Sequence, residues 1–117
     1  MEKTWGRVTQ IDMPGAPALP AGVYRVGGGV TAPRLLHKIE PQYTEEARGG
    51  KIQGTVVLMV DIDPLGTATN VEVIRSVEPG LDQKAVEAVR QWQFQPGTKD
   101  GSPVTVRATI EVNFRLN

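Results

Sequence analysis

The end of the chain carries the clearest pattern. Val104, Val106, Ala108, Ile110, Val112, Phe114 and Leu116 alternate with Thr105, Arg107, Thr109, Glu111, Asn113 and Arg115. A period of two predicts a strand with one buried and one wet face. Val56, Leu58, Val60 and Ile62 repeat the pattern within residues 55–63. Thr55, Asp61 and Asp63 fall on the opposite face, which Val57 and Met59 make partly apolar. Asp63-Pro64-Leu65-Gly66 reads as a turn, because proline presets φ and glycine supplies the permissive position. Residues 67–77 return as a second strand with Val71 and Val73 inward, so the two strands form a hairpin. The period then changes. Leu81, Ala85, Ala88, Val89 and Trp92 form a stripe at helical spacing. Asp82 is the expected N-cap of that helix, with Leu81 stapled onto Val86. Trp92 and the following Phe94 are assigned to the core, and Pro96-Gly97 ends the element. A shorter helix is expected over Thr44 to Arg48, capped by Thr44 and terminated by Gly49-Gly50.

The order helix, strand, strand, helix, strand implies an α+β two-layer sandwich. Its antiparallel sheet has three strands, or four, with both helices on one face. Residues 1–21 read as a tail or linker, since Pro14, Pro17 and Pro20 alternate with small residues. Within it, residues 4–12 are either a short strand or irregular. Residues 22–117 make a single domain. The final strand is longer than its predicted partners, about 13 residues or roughly 40 Å. Part of its backbone is therefore expected to lack an internal partner.

Composition narrows the chemistry. The 13 basic and 13 acidic side chains cancel among 117 residues, which argues against a nucleic-acid partner needing a cationic footprint. Without cysteine there is no disulfide, thiol nucleophile or Cys-ligated metal. No run of 18 apolar residues is present. Asp61, Asp63, Gly66 and Glu72 match positions of a calcium loop, but Leu65 offers no oxygen ligand and both flanks read as strands. Gly27, Gly29 and Ala32 mimic a dinucleotide fingerprint, yet Pro33 follows and no helix opens. His37 is the sole histidine and has no nucleophile partner. Glu45 and Glu46 are explained by the helix dipole. No set of residues meets the requirements of catalysis, and no cofactor is expected. What remains is main chain: an unpaired strand edge can take another strand, with hydrogen bonds supplying affinity and alternate side chains selectivity. Coverage of that edge by residues 23–30, or by a second copy of the chain, is the competing reading.

The motifs Pro41-Gln42-Tyr43, Ile52-Gln53-Gly54-Thr55-Val56, Asp61 to Gly66, Val71 to Ser76, Leu81-Asp82-Gln83-Lys84-Ala85-Val86, Trp92-Gln93-Phe94-Gln95-Pro96, Gly101-Ser102-Pro103-Val104 and Val112-Asn113-Phe114-Arg115-Leu116 occur in this order. Together they resemble the C-terminal domain of TonB energy-transducer proteins over residues 40–117. Two departures are Thr44, where the family commonly has proline after the tyrosine, and Pro64-Leu65 before the turn glycine.

The resemblance implies a non-enzymatic adaptor in the periplasm, tethered to the inner membrane by an N-terminal helix missing here. It implies that the domain binds the TonB box of outer-membrane transporters by strand addition and transmits motion from the ExbB–ExbD motor. Carried over by position, the partner-binding residues are Glu40, Pro41, Gln42 and Tyr43 with Val104, Thr105, Val106, Arg107, Ala108, Thr109, Ile110, Glu111, Val112 and Asn113. Glu40 stands where the family often has glutamine. The alternative is a structural or dimerisation module of the cell envelope that uses the same edge to form a homodimer.

Overall fold

The computed structural model describes residues 2–9 and 21–116. Its centre is the hairpin of β4 (Gly54–Ile62) and β5 (Ala68–Arg75), joined along β4 by β9 (Thr105–Leu116). Both pairings are antiparallel, and β4 lies against β9 from Gly54↔Phe114 to Ile62↔Val106. This is the expected three-stranded sheet. Two further segments join on the other side of β9. β1 (Glu2–Thr9) runs antiparallel to it, and β2 (Val23–Tyr24) runs parallel to Thr105 and Val106. The N-terminal stretch thus supplies the fourth strand, over residues 2–9 of the expected 1–21 tail. Residues 10–20 lie outside the described residues.

The alternating apolar positions converge as predicted. Val56, Leu58, Val60 and Ile62 on β4 meet Val106, Ile110, Val112 and Phe114 on β9, all fully buried. α1 (Glu45–Gly49) and α2 (Pro79–Arg90) close this face, contributing Ala47, Leu81, Ala85 and Val89 to the same cluster. Trp92 and Phe94 complete it with tilted rings 6.2 Å apart. Phe94 belongs to β6 (Gln93–Gln95), which pairs with β3 (Arg34–His37) and leaves His37 exposed. β7 (Thr98–Lys99) and β8 (Ser102–Pro103) form a small separate hairpin.

Local chemistry fixes the element ends. Thr44 caps α1 by accepting from Ala47 N at 3.1 Å, as its position predicts. In the β4–β5 turn, the Asp63 carboxylate accepts from Leu65 N and Thr67 N at 3.0 and 2.9 Å. Gly66 sits at φ 82°, and a side chain there would collide with the Phe94 carbonyl. Only glycine suits both the left-handed backbone and the close approach.

Four expectations are corrected. The N-cap of α2 is Glu78, one turn before the expected Asp82, and Pro79 takes the first helical position, where its missing N–H costs nothing. Asp82 instead reaches back from the first turn, accepting from Val77 N at 3.0 Å and from the Ser76 hydroxyl. Val73 pairs with the core residue Leu58 yet is exposed, because β5 is the edge strand of the sheet. A register shift falls at Asn70, which has φ 46°, and Val71 after it still packs against the core. Asp61, expected on a wet face, is 1% exposed. Lastly, the outer edge of β9 is covered by the chain itself.

Candidate functional site

The candidate residues fall in two segments, of which the shorter meets the end of the longer one's strand through Tyr43 and Phe114. Thr105 to Asn113 lie on β9, and Glu40 to Tyr43 lead into α1 with Tyr43 against Phe114 near the end of β9. Tyr43 explains the juxtaposition. Its ring stands edge-on to Phe114 with centroids 5.5 Å apart, and its hydroxyl donates to the Ile52 carbonyl at 2.6 Å. Trp92 Nε1 donates to the Ile39 carbonyl at 2.8 Å, which holds the start of the segment to the end of α2. Pro41 is buried, while Glu40 and Gln42 face outward and Glu40 pairs with Lys38 at 3.4 Å. Val104 precedes β9 and donates its amide to the Gly97 carbonyl at 3.0 Å.

The β9 side chains are largely committed elsewhere. Val106, Ala108, Ile110 and Val112 are core. On the opposite face, Arg107 Nε and Nη2 bind Asp61 Oδ1 and Oδ2 at 2.8 and 3.1 Å. Asn70 adds a third contact to the same carboxylate at 3.1 Å. The fork-to-fork geometry and charge assistance make this a strong pair, and it holds the Arg107 pKa above arginine's ordinary value, chiefly through the Asp61 hydrogen bond. It also accounts for Asp61, while Asp63 is engaged by the turn amides; the calcium-loop residues serve the hairpin. Asn113 Oδ1 accepts from the Thr55 hydroxyl at 2.6 Å, and Glu111 pairs with Arg7 at 2.7 Å. What β9 can offer a partner is therefore its main chain.

That main chain carries β1 here. The register runs without a shift from Glu2↔Leu116 to Thr9↔Thr109. Thr4 donates its hydroxyl to the Pro41 carbonyl at 2.9 Å, so β1 touches both parts of the candidate site. Gly6 is buried over Trp92, and a Cβ there would penetrate the indole ring, lying 2.9 Å from Cζ2 even at its second-nearest atom. Residues 4–8 carried no signal of this fit except the glycine, whose purpose becomes visible only with Trp92 beneath it.

Comparison with known proteins identifies the fold. The family profile described as Gram-negative bacterial TonB protein C-terminal matches residues 39–116. The chain belongs to the TonB C-terminal domain family. Proteins of this family are non-enzymatic. The chain is 40% identical over 78 residues to Protein TonB of Xanthomonas campestris pv. campestris strain B100, covering 66% of this chain and 35% of that protein. Against Protein TonB of Vibrio cholerae serotype O1 the identity is 36% over 89 residues, covering 74% and 36%. Against Protein TonB of Escherichia coli K12 it is 31% over 84 residues, covering 71% and 35%. The chain thus aligns with about a third of the length of these TonB proteins. The solution structure of the Pseudomonas aeruginosa TonB C-terminal domain superposes with a TM-score of 0.56 at 21% identity, covering 80% of this chain and 93% of that one. This likeness concerns the α+β fold. No helix among the described residues is long and apolar enough to cross a membrane.

Proposed function

We propose that this TonB C-terminal domain is the periplasmic gripping end of a TonB-type energy transducer. In this reading it captures the TonB box of an outer-membrane transporter as an added strand on β9, between Thr105 and Asn113, with Glu40 to Tyr43 flanking it. Segments preceding the domain tether it to the inner membrane, where the ExbB–ExbD motor drives it. One observation carries the reading. The outer edge of β9 has the geometry to hold an eight-residue extended segment in unbroken register.

The grip is expected to be transient. Each main-chain hydrogen bond nets roughly 1 kcal/mol, and association costs at least about 4 kcal/mol. A handful of ladder bonds barely exceeds that cost. Tension along the strand would nonetheless load several of them together.

The test is titration of the isotope-labelled chain with a TonB-box peptide from a transporter of the same organism. NMR shift changes are expected along residues 105–116 and 40–43 and at the Trp92 indole N–H. Changes confined to the exposed flank of α2, around Gln83, Glu87 and Arg90, would place binding elsewhere and overturn the reading.

A further inference from the structure

We propose that residues 2–9 are an internal occupant of the strand-accepting edge, so that β1 holds the site closed and an incoming extended segment binds by displacing it. The proposal rests on the reading of β9 as that edge. It adds a regulating element and a requirement on the ligand.

β1 meets each feature that a foreign strand would use. It pairs with Thr109 to Leu116. It bonds the Pro41 carbonyl through Thr4 at 2.9 Å. It places its one glycine where the Trp92 ring leaves no room for a side chain. Any segment entering in this register needs a small residue opposite Val112 for the same reason.

β1 is also attached in a way that allows release. Among the described side chains of β1, Thr4 and Gly6 face the helices and bring no large apolar group to the core. On the outer face Arg7 is 68% exposed in its pair with Glu111, and the Arg115 guanidinium stands 6.0 Å from the Trp5 ring centroid. An ion pair with so exposed a guanidinium contributes little, and Trp5 is half-buried on this outer face. Main-chain pairing with few buried apolar contacts among the described side chains is the signature of a segment that opens locally, ahead of the whole fold.

The connection leaves ample slack. Thr9 pairs at Thr109 and Val23 at Thr105, positions roughly 13 Å apart along β9 at about 3.3 Å per residue. The intervening stretch, residues 10–22, could span roughly 45 Å when extended. β1 can therefore depart without pulling on β2. While attached by so short a connection, it competes at an effective concentration on the order of millimolar.

The probe is a fluorescently labelled octapeptide with the sequence of residues 2–9, added to the full chain. Two variants of the full chain release β1 by different means: Gly6→Val through collision with Trp92, and the double variant Trp5→Pro, Gly6→Pro through loss of ladder amides. Amide exchange along residues 109–116 reports release, with β4 and α2 as internal controls for the fold. Both variants are expected to lose protection on the outer edge of β9 at least about tenfold. They should bind the octapeptide about 100-fold or more tighter than the unaltered chain. If the unaltered chain binds it as tightly as the variants do, β1 does not close the site, and the inference falls while the strand-capture reading stands. Unchanged protection in both variants overturns it equally. If release is seen and neither variant binds the octapeptide, the strand-capture reading fails and takes the inference with it.

Discussion

Asp61 and Trp92 show what single residues do in this domain. Both serve purposes that their sequence neighbours do not disclose. Trp92 lies on the helical stripe and was readable as core, yet its second role as the floor beneath Gly6 depends on a strand 86 positions away in sequence. Asp61 alternates with apolar residues and so reads as solvent-facing. Only the pairing of β4 with β9 brings Arg107 opposite to it. A carboxylate buried to 1% exposure depends on that partner. Arg107→Met should therefore destabilise the domain by about 3–5 kcal/mol, because the charge is left without compensation. Replacing both ends, as Asp61→Leu with Arg107→Met, should recover most of the loss. Urea unfolding of the three variants checks this. A loss below about 1 kcal/mol for the single change would mean that the pair contributes no more than a surface contact.

At the scale of elements, β4, β5, β9 and both helices were legible, as were the Thr44 cap and the β4–β5 turn, while the short strands and the start of α2 were not. Period-two alternation specified β4 and β9, and the Leu81–Trp92 stripe specified the buried face of α2, because burial enforces those spacings. The start of α2 was missed by one turn. Asp82 is a good cap by type, but Pro79 is also favoured at a first helical position, and sequence alone does not rank the two. Asp82 still stabilises the helix start by accepting from Val77 N and the Ser76 hydroxyl. Asp82→Ala should cost about 1–2 kcal/mol, or roughly 4–8 °C in Tm for each kcal/mol in a domain of this size. Calorimetry decides it, and an unchanged Tm would show that Glu78 alone caps the helix. β5 was legible as a strand with Val71 on the core, but neither its bulge at Asn70 nor the exposure of Val73 on an edge strand was.

At the scale of the molecule, the question is what occupies the rim of the sheet. An edge-to-edge homodimer would need the same main chain that β1 covers. The full chain should therefore elute as a monomer from size-exclusion columns across micromolar to near-millimolar loading. A concentration-dependent shift to twice the mass would instead favour an exchange of β1 between two copies. The motifs between residues 40 and 116 determined the family, the two-layer architecture and the position of the candidate edge, since each arises from local periodicity, turn chemistry and the order of elements. Sequence alone left the state of that edge open. A strand's partner is chosen by long-range registry, by the space over Trp92 and by a carbonyl at Pro41. None of these leaves a periodic trace in residues 2–9, so only the assembled sheet decided that the proposed site is filled from within.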